Sequence, residues 1–396
     1  MHREDFLIYE QGLVYLDSGA TTLKPYVLAE AITDYYNNYS ANAHRGDYDI
    51  SLKVDNNFEK TRELVGIILN ADTKEIVFTS GATDSLNRIV NGYFKQYLKQ
   101  DDEVLITKSE HASNVLPWFE LSDEIGIKVK YIDLDDSYKV TIENVKKAIT
   151  DKTRVISLAH VTNVVGDIRP IKEITKLAHE RGIMVVVDGA QSVPHMEIDV
   201  KDLDIDFLAF SAHKMCGPTG VGVLYGKYEY LNNLKPTAVG GGMNAMYSSN
   251  QERMYNELPH RLEAGTPNIA GVIGFGRVIE YLMTIGLGNI YKYEQDLRKY
   301  AIKRLKEIED IIIYNENSES GIIAINMKDI FAQDLAVYLN KYKIAVRAGN
   351  HCAKTLKEEI GIKNTCRISL YLYNTKEEID ILINALKNPN IRNEVI

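Results

Sequence analysis

Apolar residues gather in short runs along most of the chain. The runs at 75–79, 103–107, 128–132, 155–161, 183–188, 207–212 and 221–225 read as strands. Several are apolar throughout rather than alternating, which predicts parallel strands covered on both faces. Between two of them, Ile171, Ile174, Leu177 and Ala178 share one helical face, and Gly182 is placed to end that helix. Earlier, Val54, Phe58, Thr61, Leu64, Val65 and Ile68 mark another helical face. Strand and helix in alternation predict an α/β fold, a mostly parallel seven-stranded sheet flanked by helices.

After Thr266 the pattern changes. A long helical stretch carries Ile290, Tyr293, Leu297, Tyr300, Ala301 and Leu305. Short strands are expected at 311–314, 322–326, 344–347 and 367–371, with helices at 332–339 and 377–386. This reads as a smaller α+β C-terminal lobe. The expected division is a large lobe over 17–282 and a small lobe built from 1–16 and 283–396.

The chain has 396 residues and a formal net charge of −9. The length suits a large core with two lobes. The charge argues against nucleic acid or an anionic membrane surface as the main partner. No apolar run approaches the ~20 residues of a membrane span, and the first residues do not resemble a signal peptide. Three cysteines, Cys216, Cys352 and Cys366, form neither a CxxC pair nor a metal cluster. Their scarcity suits a reducing cytoplasm.

Ligands of open α/β sheets gather at the carboxyl ends of the strands, so those positions carry the chemistry. After 75–79 come Gly81, Ala82 and Thr83 and then a helix, a pattern that can cradle a phosphate. After 103–107 comes His111, an imidazole suited to stacking or proton transfer. After 155–161 comes Asn163, a neutral donor. Asp188 and Gln191 close the run at 183–188, and an acid ending so apolar a strand implies a cationic partner. Ser211, His213 and Lys214 close the run at 207–212. A lysine there can be held as the neutral amine that forms a Schiff base. Together these residues ask for a phosphate, a planar ring with a basic nitrogen, and an aldehyde. Pyridoxal phosphate is the ligand that has all of them.

Cys352 lies in a polar, glycine-containing stretch beside Arg347 and His351, a setting that favours thiolate. Cys216 and Cys366 read as small buried thiols. Arg367 presents a guanidinium that either takes an α-carboxylate bidentately or forms a surface ion pair.

The chain resembles the class V aminotransferase-fold enzymes, and among them the SufS/CsdA-type cysteine desulfurases, which also act as selenocysteine lyases. The matching stretches are Leu16-Asp-Ser-Gly-Ala-Thr, Ala43-His44-Arg45-Gly46, Glu110-His111-Ala-Ser-Asn114 and His160-Val-Thr-Asn163. They continue with Val187-Asp188-Gly-Ala-Gln191-Ser, Phe210-Ser211-Ala-His213-Lys214-Met-Cys-Gly-Pro-Thr-Gly220 and Arg261-Leu-Glu-Ala-Gly265-Thr266-Pro-Asn268. The last are Arg347-Ala-Gly-Asn-His351-Cys352-Ala and Cys366-Arg367-Ile-Ser-Leu-Tyr-Leu-Tyr-Asn374-Thr.

The resemblance implies the fold-type-I architecture of pyridoxal-phosphate-dependent transferases and a homodimer. It implies Lys214 as the Schiff-base lysine and Cys352 as the sulfur acceptor. Ala82, Thr83, Ser211 and His213 would hold the phosphate, with Thr266 reaching in from the second subunit. Asp188 and Gln191 would contact the ring and His111 would stack on it. Asn163 and Arg367 would bind the carboxylate end of L-cysteine or L-selenocysteine, with Arg347 nearby. The loop around Cys352 resembles that of the short-loop subgroup. A sulfur-acceptor protein, feeding iron–sulfur clusters or another sulfur-requiring synthesis, is the implied partner.

Two positions depart from the family pattern. Asn350 stands where the first of two histidines precedes the cysteine, and Tyr48 stands where a second histidine follows His44. Aminotransferases, kynureninases and epimerases share the fold but need no cysteine at this place. A relay protein without catalysis would not need Lys214, Asp188 and His111. Gly271, Gly274 and Gly276 fall inside a helical stretch rather than after a strand, which excludes a dinucleotide-binding turn. The identity of the acceptor, and the preference between cysteine and selenocysteine, stay open at this level.

Overall fold

The computed structural model describes residues 2–43, 46–361 and 363–394. His44 and Arg45 of the second matching stretch lie outside the described residues. The chain enters through β1 (Val14–Tyr15) and then builds one central sheet. Its strands are β2 (Ile76–Thr79), β3 (Glu103–Thr107), β4 (Lys128–Ile132), β5 (Thr153–Ala159), β6 (Met184–Asp188), β7 (Phe207–Ser211) and β8 (Gly222–Gly226). They lie in the order β2-β8-β7-β6-β5-β3-β4. Five of them, from β7 to β4, are parallel, and β8 runs antiparallel between β2 and β7.

The apolar runs explain the sheet. Val185, Val186, Val187, Leu208 and Ala209 are all fully buried, covered on both faces as a parallel sheet requires. Each large aliphatic side chain so buried contributes about 1.5–3 kcal/mol on leaving water. The antiparallel β8 has a consequence for the site. Its first residue, Gly222, pairs with Thr79 on one side and Ser211 on the other. The carboxyl ends of β2 and β7 are thereby held together across one residue. A Cβ on Gly222 would lie 2.3 Å from Gly81 Cα, so only glycine permits that approach.

Two helices follow, Ile269–Ile285 and Leu287–Leu305, bent by 70° at Gly286, where φ is +86°. No single helix among the described residues is long and apolar enough to cross a membrane. A second sheet comprises β11 (Ile311–Tyr314), β12 (Ile322–Met327), β14 (Arg347–Gly349) and β15 (Thr365–Ser369), antiparallel in the order β11-β12-β15-β14. The short β13 (Ile344–Ala345) pairs in parallel with β1. Leu16, Leu297, Ile323, Leu335, Ile368 and Leu382 form the core beneath this second sheet.

Where the structure differs from expectation, burial is the reason. The strand expected at 367–371 begins and ends two residues earlier. Leu370, Tyr371 and Leu372 are fully buried but irregular, so their apolar run mimics strand. The expected strand at 344–347 splits at Val346, because β13 and β14 pair with different partners. A hairpin of β9 (Asn244–Tyr247) and β10 (Arg253–Tyr255) had no signal in the sequence. Nearly all of its residues are exposed, so no alternation of apolar and polar positions reveals it.

Candidate active site

The strand ends converge on one cavity of about 260 Å³. It is lined by Ala82, Thr83, His111, Asn163, Asp188, Gln191, Ser211, His213 and Lys214, together with Arg347, Cys352 and Arg367. Of the expected site residues only Thr266 stands outside it, exposed at the surface. Gly19, Ala20, Ser113 and His351 also line the cavity.

Lys214 is delivered by β7. The strand ends at Ser211 and turns through one 3-10 turn, Ala212–Lys214. The His213 carbonyl then accepts four donors: Lys24 Nζ at 2.7 Å, Thr21 Oγ1 at 3.0 Å, and the Thr22 N–H and Oγ1 each at 3.1 Å. The peptide preceding Lys214 is therefore fixed. The chain leaves through Cys216, at φ +57°, and Gly217, whose N–H returns to the Ala212 carbonyl. Burial pushes the Lys214 amine down to about 8, with Asp188 opposing. A lysine so placed is available as the neutral nucleophile.

Beside the end of β7, Gly81 precedes the helix Ala82–Ile89 at φ +155°. The Ala82 N–H donates to Ser211 Oγ at 2.7 Å, and the Thr83 and Ser113 hydroxyls meet at 2.7 Å. Hydroxyls and helix-start N–H groups suited to phosphate are thus gathered at one point. His111 lies at the end of β3, and its Nδ1 accepts the Ser113 N–H at 3.1 Å. Burial, then Lys214, pushes its pKa down to about 4, so the ring is neutral and carries its proton on Nε2. Burial likewise lowers His213 to about 4.

Asp188 ends β6. Its Oδ1 accepts the Ala190 N–H at 2.9 Å, and burial raises its pKa while Lys214 opposes. Asn163 Nδ2 donates to the His351 carbonyl at 2.7 Å, and Gln191 Nε2 donates to the Gly19 carbonyl at 2.7 Å. The carbonyl oxygens of both amides are buried without a partner.

From the second sheet come Arg347 and Arg367, and from the turn after β14 comes Cys352. Arg367 sits within β15 and is buried, so the reading of a surface ion pair does not hold. Its Nη1 donates to the Asn163 carbonyl at 2.8 Å and its Nη2 to Asp17 at 3.1 Å. Cys352 is exposed at the cavity, whereas Cys216 and Cys366 are buried and pushed up to about 12. His351 and Cys352 both adopt positive φ, 52° and 57°. The turn is held by Asn350, whose Oδ1 accepts the Cys352 N–H at 3.1 Å.

The family model for aminotransferase class-V matches residues 14–382. A probable cysteine desulfurase of Halalkalibacterium halodurans is 43% identical over 95% of this chain and 92% of its own. The apo cysteine desulfurase from Thermococcus onnurineus NA1 superposes with a TM-score of 0.94 at 36% identity, covering 97% of this chain and 96% of that one. The cysteine desulfurase CsdA of Escherichia coli, in its S-sulfonic acid form, gives 0.93 at 34% identity, covering 100% and 98%. The chain belongs to the cysteine desulfurases of the aminotransferase class-V family.

Pyridoxal phosphate is the cofactor of this family, and the residues of this desulfurase fit it. Two buried amide oxygens lack partners, a buried carboxylate faces the cavity, and a lysine of lowered pKa stands opposite. Two supports of residues that line the cavity escaped sequence reasoning. Asp17 lies against both arginines, and the acid of its Asp-Ser-Gly turn was the only local signal. Glu110 forms a fully buried ion pair with Arg169 behind His111 and also accepts the Ala159 N–H at 2.7 Å. Nothing adjacent to Arg169 in sequence marks it.

Proposed function

We propose that this desulfurase converts L-cysteine to L-alanine and takes the sulfur onto Cys352 as a persulfide. The observation that carries this is one cavity lined by both Lys214 and Cys352, two residues far apart in sequence that follow strands of different sheets. Ala82, Thr83, Ser211 and His213 would hold the phosphate, joined by Thr266 from a second copy of the chain. Asp188 would keep the ring nitrogen protonated, Gln191 would contact the ring and His111 would stack on it. When bound, the cofactor supplies an electron sink for the substrate carbon.

The chain's own residues do the rest. Arg367 and Asn163 orient the carboxylate end of the substrate, with Arg347 nearby. The Lys214 Nζ, whose pKa is lowered to about 8 so that a large fraction is the neutral amine at that pH, takes the α-proton. The Cys352 thiolate then attacks the substrate sulfur. An S–S bond forms and the Cβ–S bond breaks. Its electron pair stays with carbon, which takes up a proton to become the methyl group, and Lys214 returns a proton to the α-carbon before L-alanine leaves. The same pocket accepts L-selenocysteine, whose selenium leaves more readily.

Exposure of Cys352 at the cavity supports onward transfer to an acceptor protein, for iron–sulfur or other sulfur-requiring synthesis. The exposed hairpin β9–β10, with Met246, Tyr247 and Met254 at its surface, supports a homodimer. A two-stranded ribbon is marginal alone and is stabilised by being covered. Three unpaired cysteines suit the cytoplasm. Division into a lobe over 17–282 and a lobe of 1–16 and 283–396 is supported by the pairing of β1 with β13. Replacing Cys352 tests the assignment. Cys352→Ala keeps the bound cofactor's colour and loses sulfur release from L-cysteine, and unchanged turnover would make Cys352 structural.

A further inference from the structure

Glu110, next to His111 in the chain, and Arg169, just before the helix Ile171–His179, form an ion pair whose side chains are both wholly out of water. Burying two charges is costly, and apolar residues of similar volume stabilise a fold as well. The reaction steps above make no use of the pair. Glu110 Oε1 accepts from Arg169 Nη1 and from Thr107 Oγ1, the latter at 2.7 Å. Its Oε2 accepts from Asn114 Nδ2 at 3.0 Å and from the Ala159 N–H at 2.7 Å. Arg169 Nη1 donates in turn to the Ala159 carbonyl at 3.1 Å.

Both members therefore grip one residue, Ala159, by its N–H and by its carbonyl. Ala159 lines the cavity and lies beside Asp188 in the register of β5 and β6. The His160 N–H donates to the Asp188 carbonyl at 2.9 Å, and the Arg169 N–H donates to the His160 carbonyl at 2.9 Å. The pair is thus two backbone bonds from the acid at the end of β6.

The charges around Asp188 come from several elements. Burial raises its pKa, Lys214 lowers it, Glu110 raises it and Arg169 lowers it. The two members of the pair act on it in opposite senses. Asp167 flanks them, its Oδ2 3.7 Å from Arg169 Nε, and burial raises its pKa. His111 and His160, both lowered to about 4 by burial, are neutral. The cations lining the cavity itself are Lys214, Arg347 and Arg367, besides the neutral His111, His213 and His351.

We propose that Glu110 and Arg169 are a positioning pair for Asp188, fixing the end of β5 against it and keeping the field at the bound cofactor's ring balanced. The pair acts through other groups and touches no reacting atom. The inference rests on the role proposed above for Asp188.

The test follows the absorbance of the lysine-bound cofactor in the holoenzyme against pH. In Glu110→Gln the guanidinium stays charged and unbalanced, since arginine does not deprotonate in a protein. It weakens the hold on nearby protons, and the absorbance midpoint is expected to fall by about 0.5 to 1 pH unit. In Arg169→Gln the carboxylate stays charged through its remaining donors, Thr107, Asn114 and Ala159, and the midpoint rises by a similar amount. Glu110→Gln combined with Arg169→Gln restores the balance and the native midpoint. Arg169→Lys leaves no unbalanced charge to hinder folding and also keeps the native midpoint, so its displacement by about half a unit overturns the proposal by itself. An unchanged midpoint in either single variant, or shifts of the same sign in both, overturns it too. Misplaced backbone alone would displace the double variant at least as far as the single ones. Asp188→Asn separates this from the parent reading. Native cofactor affinity and a native midpoint in that variant remove the role of Asp188, while the opposed shifts still judge the pair.

Discussion

The Ala112 N–H donates to the Cys352 carbonyl at 2.8 Å. The loop that carries Cys352 is thereby tied to the loop that carries His111. Asn163 adds a second tie, through its bond to the His351 carbonyl. The turn that bears Cys352, which follows β14, is thus fixed to the segments after β3 and β5, in the sheet whose β7 leads to Lys214.

Asn350 holds the turn within that framework. It caps the Cys352 N–H and holds two successive residues at positive φ, a conformation that non-glycine residues adopt at a cost. Asn350→Ala is expected to slow persulfide formation about three- to tenfold with cofactor absorbance unchanged. Asn350→Asp, which retains the acceptor, keeps most of the rate. Single-turnover quenching with a thiol reagent measures it, and equal rates in Asn350→Ala and native enzyme would remove Asn350 from the account.

Lys214 sets the pH dependence. Its pKa is lowered to about 8, so the neutral amine is scarce at pH 6 and dominant at pH 9. Cofactor capture by the apoenzyme is expected to accelerate as pH rises through about 8 and then level off. His111, lowered to about 4, stays neutral throughout that range and adds no second inflection. Stopped-flow absorbance after mixing with pyridoxal phosphate gives the profile, and a flat one contradicts the role of Lys214. Lys214→Ala removes the visible band of the lysine-bound cofactor altogether.

Arg367 is held at the cavity by Asp17 and the Asn163 carbonyl. Its truncation is expected to raise KM for L-cysteine about 10- to 100-fold, the worth of a charge-assisted pair of hydrogen bonds. The effect on kcat is smaller, since the interaction is made before the chemical step. An unchanged KM refutes carboxylate binding by Arg367.

The sheet itself supplies a structural prediction. Gly222→Ala places a methyl group against Gly81, whose backbone leads into the helix Ala82–Ile89. Overpacking of this kind costs about 1–3 kcal/mol. The variant is expected to melt at lower temperature and to bind the cofactor more weakly. Native melting and native cofactor affinity would contradict the close approach.

Most of this site was legible in the sequence because each of its central residues follows an apolar run. Lys214, Asp188, His111 and Asn163 stand within a few residues of the strand ends, and parallel strands place those ends side by side. Asp17 and Arg169 were not legible in that way. Their partners, Arg367 and Glu110, are distant in sequence, and only the folded chain brings them together. The hairpin at Asn244–Tyr247 and Arg253–Tyr255 escaped for the opposite reason: little of it is buried, so no pattern marks it.

The central claim is that sulfur leaves L-cysteine for Cys352. Mass spectrometry of the holoenzyme after incubation with L-cysteine tests it most directly, with released amino acids measured in the same sample. The account predicts L-alanine in solution and one added sulfur atom on the peptide containing Cys352. Alanine formed while that peptide stays unmodified, or added sulfur found on Cys216 or Cys366 instead, would contradict it.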